Sequence, residues 1–531
     1  MKPITLIFLS LALCAFAASW LAGPVSAQNP MTLVGQYDGE GGEYSEFGKG
    51  TTMGDFDADG KEEFVIGAPG WDQDRGKNYF YQYENDWPTA PYMTVQGEQQ
   101  HITYDWSDAN LGDINGDGLP DLGIPASSEE GGLDIGRLDL YFGSPSFDTL
   151  PDWSMHSIDT IITFADDLDS AGDVNGDGEN DMVMLNWYID NPGYTQTLEI
   201  FYGGQALDSI PDCSIIIDFC NISALGDVNA DGYADVMTLD YNNQPAQIYF
   251  GGDPMDTIPD LIFEEYAYWG MGGGVGDVNG DGHPDFLLDM HWPDSTFGND
   301  AVYFGGPDVD NVPDVHLLNW QGGLNGSSGM CSGDFNGDGF SDIVSTSGTP
   351  SLGRIVEIYL GGPWFNPVPD ALLQGWEYYE FGETLASGDV NGDGRDELLV
   401  SAINYPSFHI GRVYLFEGPE TWIDLGAGVE PEELQHYPGW FKLEQNYPNP
   451  FNSTTSIHFE IGKPSTVNIA IYDLRGQRIK ELIAEKEMLP GGYNVSWSGK
   501  NQQNKEVSSG IYILELKVDQ YQQILKMVLL R

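Results

Sequence analysis

The sequence predicts an all-β chain: a seven-bladed β-propeller followed by a small β-sandwich. Three observations predict it. An acidic, glycine-rich string returns seven times at intervals of 50 to 60 residues. Short apolar and aromatic runs between glycine and proline turns fill each interval, and no segment sustains a helical period. The charge then changes abruptly: Leu443 to Arg531 hold ten basic and nine acidic residues, a net of +1, within a chain whose total is −63.

Taken in order, Met1 to Ala27 read as a signal peptide. Lys2 opens it, an apolar run spans Ile4 to Ala22, and Val25-Ser26-Ala27 forms a small-x-small cleavage site ahead of Gln28. Gly23-Pro24 breaks a helix before that point, which favours removal over anchoring. No later stretch is apolar for long enough to span a bilayer, so no transmembrane segment is expected after cleavage. Residues 28–425 are then the propeller, 426–442 a linker rich in acids and proline, and 443–531 the terminal sandwich.

The repeats carry the main signal. The leading Asp of each string falls at 55, 113, 173, 227, 277, 334 and 389. A period of that size is long for helical repeats and suits a blade of four strands. An apolar run follows each string, as in Phe64-Val65-Ile66 and Phe286-Leu287-Leu288. Next comes an aromatic strand ending in glycine, as in Tyr141-Phe142-Gly143 and Tyr303-Phe304-Gly305-Gly306, and then a Pro-Asp pair at Pro151, Pro211, Pro259, Pro313 and Pro369. The last repeat, ending in Arg412-Val413-Tyr414-Leu415-Phe416, lacks an outer strand. Met31-Thr32-Leu33-Val34-Gly35 matches the segments that precede later strings, so the N-terminus is expected to complete blade seven and close the ring.

The string itself points to a metal. In the second copy the oxygen donors are Asp113, Asn115, Asp117 and Asp121, at positions 1, 3, 5 and 9. Alternate spacing gathers the first three as the loop curls, Gly118 at position 6 permits the turn, and Leu119 at position 7 is expected to add a backbone carbonyl. The other copies keep the pattern: Asp55, Asp57, Asp59, Glu63; Asp173, Asn175, Asp177, Asp181; Asp227, Asn229, Asp231, Asp235; Asp277, Asn279, Asp281, Asp285; Asp334, Asn336, Asp338, Asp342; and Asp389, Asn391, Asp393, Glu397. Hard oxygen donors without His or Cys select calcium over zinc or copper, and magnesium prefers fewer protein ligands. Up to seven calcium ions follow, with a structural role, because the clustered carboxylates repel one another without a cation. One copy could be a plain acid-rich turn, but seven copies with an acid at position 9 in each cannot reasonably be. An EF-hand or dockerin loop needs a bidentate acid at position 12, where this chain has Ile66, Ile124, Met184, Thr238, Leu288, Ser345 and Val400.

These residues resemble the FG-GAP or integrin-α-type (VCBS-like) repeat. Blade one shows Phe47-Gly48, the acidic loop and Gly67-Ala68-Pro69, and blade seven keeps Phe381-Gly382; the middle blades match mainly through the loop. The resemblance covers about residues 31 to 425 and implies calcium loops on one face of a disc, with ligands meeting another face or the loops there. Nothing has room for an integrin's inserted domain, and no integrin role is carried over.

The C-terminal piece opens with Leu443-Glu444-Gln445-Asn446-Tyr447-Pro448-Asn449-Pro450-Phe451-Asn452. Ile471-Tyr472-Asp473-Leu474-Arg475-Gly476, Gly491-Gly492-Tyr493-Asn494-Val495-Ser496-Trp497 and Lys526-Met527-Val528-Leu529-Leu530-Arg531 follow. It resembles the type A sorting domain of the type IX secretion system. That implies export to the bacterial cell surface or exterior and makes the secretion machinery a partner. The residues alone describe a small Ig-like sandwich of alternating strands and would also suit a carbohydrate-binding module.

Composition narrows the function. Twenty Lys and Arg against 83 Asp and Glu repel nucleic acid. Eight His are scattered outside any recognisable motif, and no nucleophile elbow, phosphate loop or zinc helix occurs. A secreted binding or adhesion module for a glycan or protein ligand is favoured. The alternative is a lyase-like polysaccharide-degrading enzyme on a calcium-stabilised propeller, which the propeller's few basic residues disfavour; a structural spacer is the third reading. Catalysis is more naturally absent than present. Of four Cys, Cys14 leaves with the signal, and pairing of Cys213 with Cys220 in an oxidising compartment is left open, with Cys331 over.

Overall fold

Each acidic string turns the chain through a hairpin that closes on the same pair of residues. The glycine before the string stands opposite the acid at position 9 in all seven copies: Gly54 opposite Glu63, Gly112 opposite Asp121, Gly172 opposite Asp181, Gly226 opposite Asp235, Gly276 opposite Asp285, Gly333 opposite Asp342 and Gly388 opposite Glu397. This computed structural model describes residues 31–529 apart from short segments, the longest being 291–299, 318–328, 375–380, 404–409 and 423–440. The expected signal peptide and most of the expected linker lie outside the described residues.

The chain divides into two compact units near residue 424. In the first, the strand entering each hairpin is the innermost of its sheet. These strands are Thr51–Gly54, Ala109–Gly112, Leu168–Gly172, Cys220–Gly226, the second half of Leu261–Gly276, Met330–Gly333 and Phe381–Gly388. Each packs on the next, and the last packs back on the first, so the sheets form a closed ring of seven antiparallel blades. We number the blades by their loops. Blades 4 and 5 share one strand: Leu261–Gly276 is the outer strand of the former and the inner strand of the latter. The ring closes as the sequence phase requires, with Thr32–Asp38 pairing antiparallel with Arg412–Glu417, Thr32 opposite Glu417 and Asp38 opposite Arg412. Pairing the chain's first described strand into the last blade covers an edge that would otherwise be exposed.

Alternation along each strand sends apolar side chains to both faces of a blade, because each blade is covered on both sides by its neighbours. Val183, Leu185, Leu198 and Ile200 of blade 3 face Val236 and Tyr249 of blade 4. Aromatic pairs stiffen two of these layers: Phe64 stacks on Tyr81 at 4.8 Å, and Phe286 on Tyr303 at 4.9 Å. Full burial of a side chain such as Phe64 contributes about 1.5–3 kcal/mol. The only described helix is the single turn Trp71–Asp74. Cys213 lies on the outer strand of blade 3 and Cys220 on the inner strand of blade 4; both are buried and neither is in a disulfide, so the open pairing does not form here.

The second unit has a three-stranded sheet (Phe441–Leu443, Thr455–Ile461, Gly491–Trp497) and a four-stranded one (Ser465–Asp473, Arg478–Met488, Gly510–Val518, Tyr521–Leu529). Both contribute to one buried cluster that includes Phe459, Val467, Trp497 and Leu514. The Asn-rich opening motif is a structural clasp. Asn446 Nδ2 donates to Thr455 Oγ1 at 2.8 Å, Thr455 Oγ1 to the Pro448 carbonyl at 2.7 Å, and the Val528 N–H to Asn449 Oδ1 at 2.7 Å.

Candidate metal centres

The seven loops repeat one hydrogen-bond plan. The position-1 carboxylate accepts the N–H groups of positions 5 and 6. In the sixth loop, Asp334 takes Asp338 at 3.0 Å and Gly339 at 2.8 Å, and in the seventh Asp389 takes Asp393 at 3.0 Å and Gly394 at 2.8 Å. Position 5 accepts the N–H of position 7, as Asp117 does from Leu119 at 3.0 Å. These bonds curl the loop before any ligand arrives. Position 6 has a left-handed backbone, with φ of +92° at Gly118 and +95° at Gly178. A Cβ there would meet nothing within 4 Å, so backbone conformation and not space explains the glycine.

Position 9 is the anchor. All seven of these acids are at most 1% exposed. In blades 2 to 6 one oxygen accepts the N–H of position 2, as Asp121 does from Ile114 at 3.0 Å. The other accepts the N–H of a glycine at the end of the third strand: Gly143, Gly203, Gly251, Gly305 or Gly361, at 2.7–3.0 Å. These are the first glycines of the recurrent aromatic-Gly strings. A Cβ at any of them would collide with the carbonyl oxygen of position 8, for example Asn180 behind Gly203. The sequence displayed these glycines, but nothing local in it tied them to the loops.

Blades 1 and 7 use the longer Glu. Glu397 Oε2 accepts the N–H of Val390 at 3.0 Å and Oε1 the Asn391 amide at 2.9 Å. Glu63 Oε2 accepts the N–H of Phe56 at 3.0 Å, while its Oε1 is buried with no hydrogen-bond partner. Oxygens of Asp55, Asp57 and Glu63 all lie within 4.8 Å of one another. Asp59 stands slightly apart, accepting from the Lys61 N–H at 2.9 Å and from Gln82 Nε2 at 3.3 Å. In the other loops the Asn at position 3 turns its amide to its neighbours: Asn115, Asn229, Asn279 and Asn336 donate to the position-5 carboxylate at 2.9–3.1 Å.

Burial, more than neighbouring charge, pushes the position-9 acids up: Glu63 and Glu397 to about 8, and Asp121, Asp181, Asp235 and Asp285 to about 7. Asp342 moves the same way for the same reason. A buried carboxylate that resists ionisation, beside two or three further acids, is a site that a hard cation would relieve. The orphaned Glu63 oxygen and the all-oxygen donor set fit such an ion.

The loops are also tied to each other. The position-1 carbonyl accepts the N–H of position 8 in the next blade: Asn180 to Asp113, Ala234 to Asp173, Ser341 to Asp277, Asp396 to Asp334 and Glu62 to Asp389, at 2.8–3.1 Å. The two junctions without this bond have Pro120 and Pro284 at position 8, which have no N–H to donate. A second rung joins position 2 to the following blade, as from Gly204 to Ile114 at 2.7 Å. At the junction of blades 6 and 7 the Trp422 indole takes that role, donating to the Phe335 carbonyl at 3.0 Å.

Comparison with known proteins agrees with this geometry. The FG-GAP-like repeat matches residues 55–124, 227–288 and 334–400, and the secretion system C-terminal sorting domain matches residues 445–530. Integrin alpha-PS2 of Drosophila melanogaster is 32% identical over 30% of this chain and 12% of its own length. Human phosphatidylinositol-glycan-specific phospholipase D is 29% identical over 31% of this chain and 21% of its own. This chain thus spans only a small part of the length of the curated relatives it matches. A crystal structure of a rhamnogalacturonan lyase aligns with a TM-score of 0.40 and 11% identity, covering 73% of this chain and 75% of that one. No described helix is long and apolar enough to cross a membrane. The sorting domain marks the protein for export by type IX secretion to the cell surface or the extracellular space. The chain is a β-propeller protein of FG-GAP-like, integrin-α-like repeats that ends in a secretion-system sorting domain.

Proposed function

We propose that the exported protein is a calcium-loaded binding or adhesion module for a glycan or protein ligand outside the cell. Its parts are a signal peptide over 1–27, the propeller over 28–425, a linker over 426–442 and the sorting domain over 443–531. The ligands are the position 1, 3, 5 and 9 side chains of each loop, from Asp55, Asp57, Asp59 and Glu63 to Asp389, Asn391, Asp393 and Glu397. The observation that carries the metal reading is the buried, unpartnered Glu63 oxygen among the Asp55 and Asp57 carboxylates. A bound calcium ion would supply charge neutralisation and a rigid loop. The protein's own residues then do the rest: in blades 2 to 6 the position-9 acid fixes the loop to its own third strand, and at five of the seven junctions the position-1 carbonyl fixes it to the next blade.

The similarity to integrin α repeats supports ligand binding over catalysis. So does the fate of the propeller's eight Lys and Arg, of which six are engaged in ion pairs: Arg75 with Asp72, Lys77 with Glu40, Arg137 with Asp139, Arg354 with Glu383, Arg395 with Asp393 and Arg412 with Asp38. A lyase acting on an acidic polysaccharide needs cations free to meet the substrate's carboxylates. A glycan and extracellular-protein array probed with and without calcium tests the reading. Calcium-dependent capture of one ligand class without its degradation is expected. Chain cleavage of a bound polysaccharide, or native protein that holds almost no calcium, would overturn it.

A further inference from the structure

We infer that the residue at position 3 sorts the seven loops into two affinity classes: loop 1, with Asp57 there, is a tight calcium site, and the six loops with Asn there exchange their ion readily. The inference rests on the proposed reading of the loops as calcium sites and adds an order to it.

The donor set differs first. Positions 1, 3, 5 and 9 supply four carboxylates in loop 1 (Asp55, Asp57, Asp59 and Glu63), and three with one Asn in each of the other loops. Calcium affinity in oxygen-donor loops is tuned by the number of charged ligands and by the rigidity of the site.

The geometry differs with it. In every loop with Asn, the amide donates to an acid of the same loop. Asn115, Asn229, Asn279 and Asn336 reach position 5 at 2.9–3.1 Å, and Asn175 and Asn391 reach position 9 at 3.5 and 2.9 Å. Both oxygens of the position-9 acid are bonded in all six. In blades 2 to 6 they accept the N–H of position 2 and the third-strand glycine, and in blade 7 the Val390 N–H and the Asn391 amide. A cation entering these loops competes with donors already in place.

Loop 1 lacks that internal donor. Blade 7 is the control, because it too has Glu at position 9. There Asn391 Nδ2 satisfies Glu397 Oε1; here Asp57 has no N–H to give, and Glu63 Oε1 is buried with no hydrogen-bond partner. The third strand offers no substitute. Phe64 stands opposite Tyr81 as Leu122 stands opposite Tyr141, so Tyr83 occupies the place of Gly143. Gln82 Nε2 donates to Asp57 Oδ2 at 2.6 Å, which orients that carboxylate, and the neighbouring Lys61 Nζ donates to the Tyr83 carbonyl at 3.2 Å. Oxygens of Asp55, Asp57 and Glu63 therefore stand within 4.8 Å of one another. Like charges this close repel until a cation or a proton joins them. An ion in loop 1 displaces no amide and relieves the most repulsion. It also sits where three blades meet: the Phe56 carbonyl accepts the Ser144 N–H of blade 2 at 2.9 Å, and the Glu62 N–H donates to the Asp389 carbonyl of blade 7 at 3.0 Å. That part of the ring stays pinned after the other loops have released their ions.

The test titrates the full chain, stripped with chelator, with calcium in an isothermal calorimeter, and counts bound ion by atomic emission. Two phases are expected, the tighter holding one ion per chain with a Kd about tenfold or more below the rest. Asp57→Asn is expected to abolish the tighter phase. It is also expected to melt higher than wild type in chelator, because the new amide can serve Glu63 Oε1. Asn391→Asp is expected to add a second tight ion, and it decides the matter should Asp57→Asn not fold. A tight phase that survives Asp57→Asn overturns the inference, as does an Asn391→Asp protein with the wild-type isotherm. Seven ions in a single phase overturn the ranking and leave the calcium reading standing; a chain that binds no calcium at any loop overturns that reading, and the ranking with it.

Discussion

The two units of this chain solve the same problem, holding β-sheets together, by different means. The C-terminal unit, with a net charge of +1 from Leu443 onward, relies on one apolar cluster from two sheets. The residues before Leu443 carry −64 by difference, and the propeller among them holds its ring with acids turned inward: each loop acid accepts backbone N–H groups from its own blade, and each loop carbonyl one from the next, except at two prolines. One unit is stabilised by what it excludes from water; on the proposed reading the other is stabilised also by a cation that its loops take from it. The difference teaches where the stability of each will respond to its surroundings.

Removing calcium should separate the units most sharply. Each filled loop adds about 2.7 kcal/mol when free ion is a hundredfold above its Kd. Excess chelator is therefore expected to lower the propeller's calorimetric transition by far more than that of the sorting domain; equal shifts would break the comparison.

Acidity should act next, and only on the metal-free propeller. Burial raises all seven native position-9 acids, six of them to about 7 or 8, above unfolded values of about 4. Between those limits the native state holds more protons than the unfolded one, so stability falls as pH rises, by up to about 1.4 kcal/mol per pH unit for each such acid. Chelated protein is expected to melt higher at pH 5 than at pH 8, with calcium reversing the order. A flat profile would show that these acids ionise freely.

The C-terminal unit has the complementary weakness. Trp497 is 1% exposed and stacks edge-on against Tyr512 at 4.9 Å. Trp497→Ala is expected to cost about 3–5 kcal/mol in denaturant unfolding of that unit and to leave the propeller's calcium response unchanged.

The smallest effect lies at a loop junction. Ser341→Pro removes the N–H bonded to the Asp277 carbonyl, a loss of about 0.5–1.5 kcal/mol, partly offset by about 0.4–1 kcal/mol from a stiffer unfolded chain. The variant should lie within about 1 kcal/mol of wild type, since Pro120 and Pro284 already occupy the same place in two other junctions. A large loss would mean that this rung transmits more than one hydrogen bond.

Much of this was legible because it is local. Donors at positions 1, 3, 5 and 9 sit within one turn of chain, so spacing alone exposed the loops. The closing strand followed from the phase of the repeats, because Thr32–Asp38 continues a pattern that the last repeat leaves unfinished. What escaped is long-range. Gly203 and Asp181 are 22 residues apart, and only folding shows that one N–H serves the other's carboxylate. Cys213 and Cys220 are close in sequence yet fall in different blades, so spacing alone left their pairing open.

The proline substitutions at position 8 give the ring a grain. Without a bond from Pro120 to Asp55 or from Pro284 to Asp227, the loop-to-loop chain is interrupted twice. It falls into an arc of blades 2 to 4 and an arc running from blade 5 through 7 to blade 1. The second interruption is spanned by the continuous strand Leu261–Gly276, which laces blades 4 and 5 covalently. The first has no such lacing and rests instead on the position-2 rung, Ser144 N–H to the Phe56 carbonyl at 2.9 Å, and on Asn110, whose N–H donates to Thr52 Oγ1 at 3.1 Å and whose Nδ2 donates to the Met53 carbonyl at 2.8 Å.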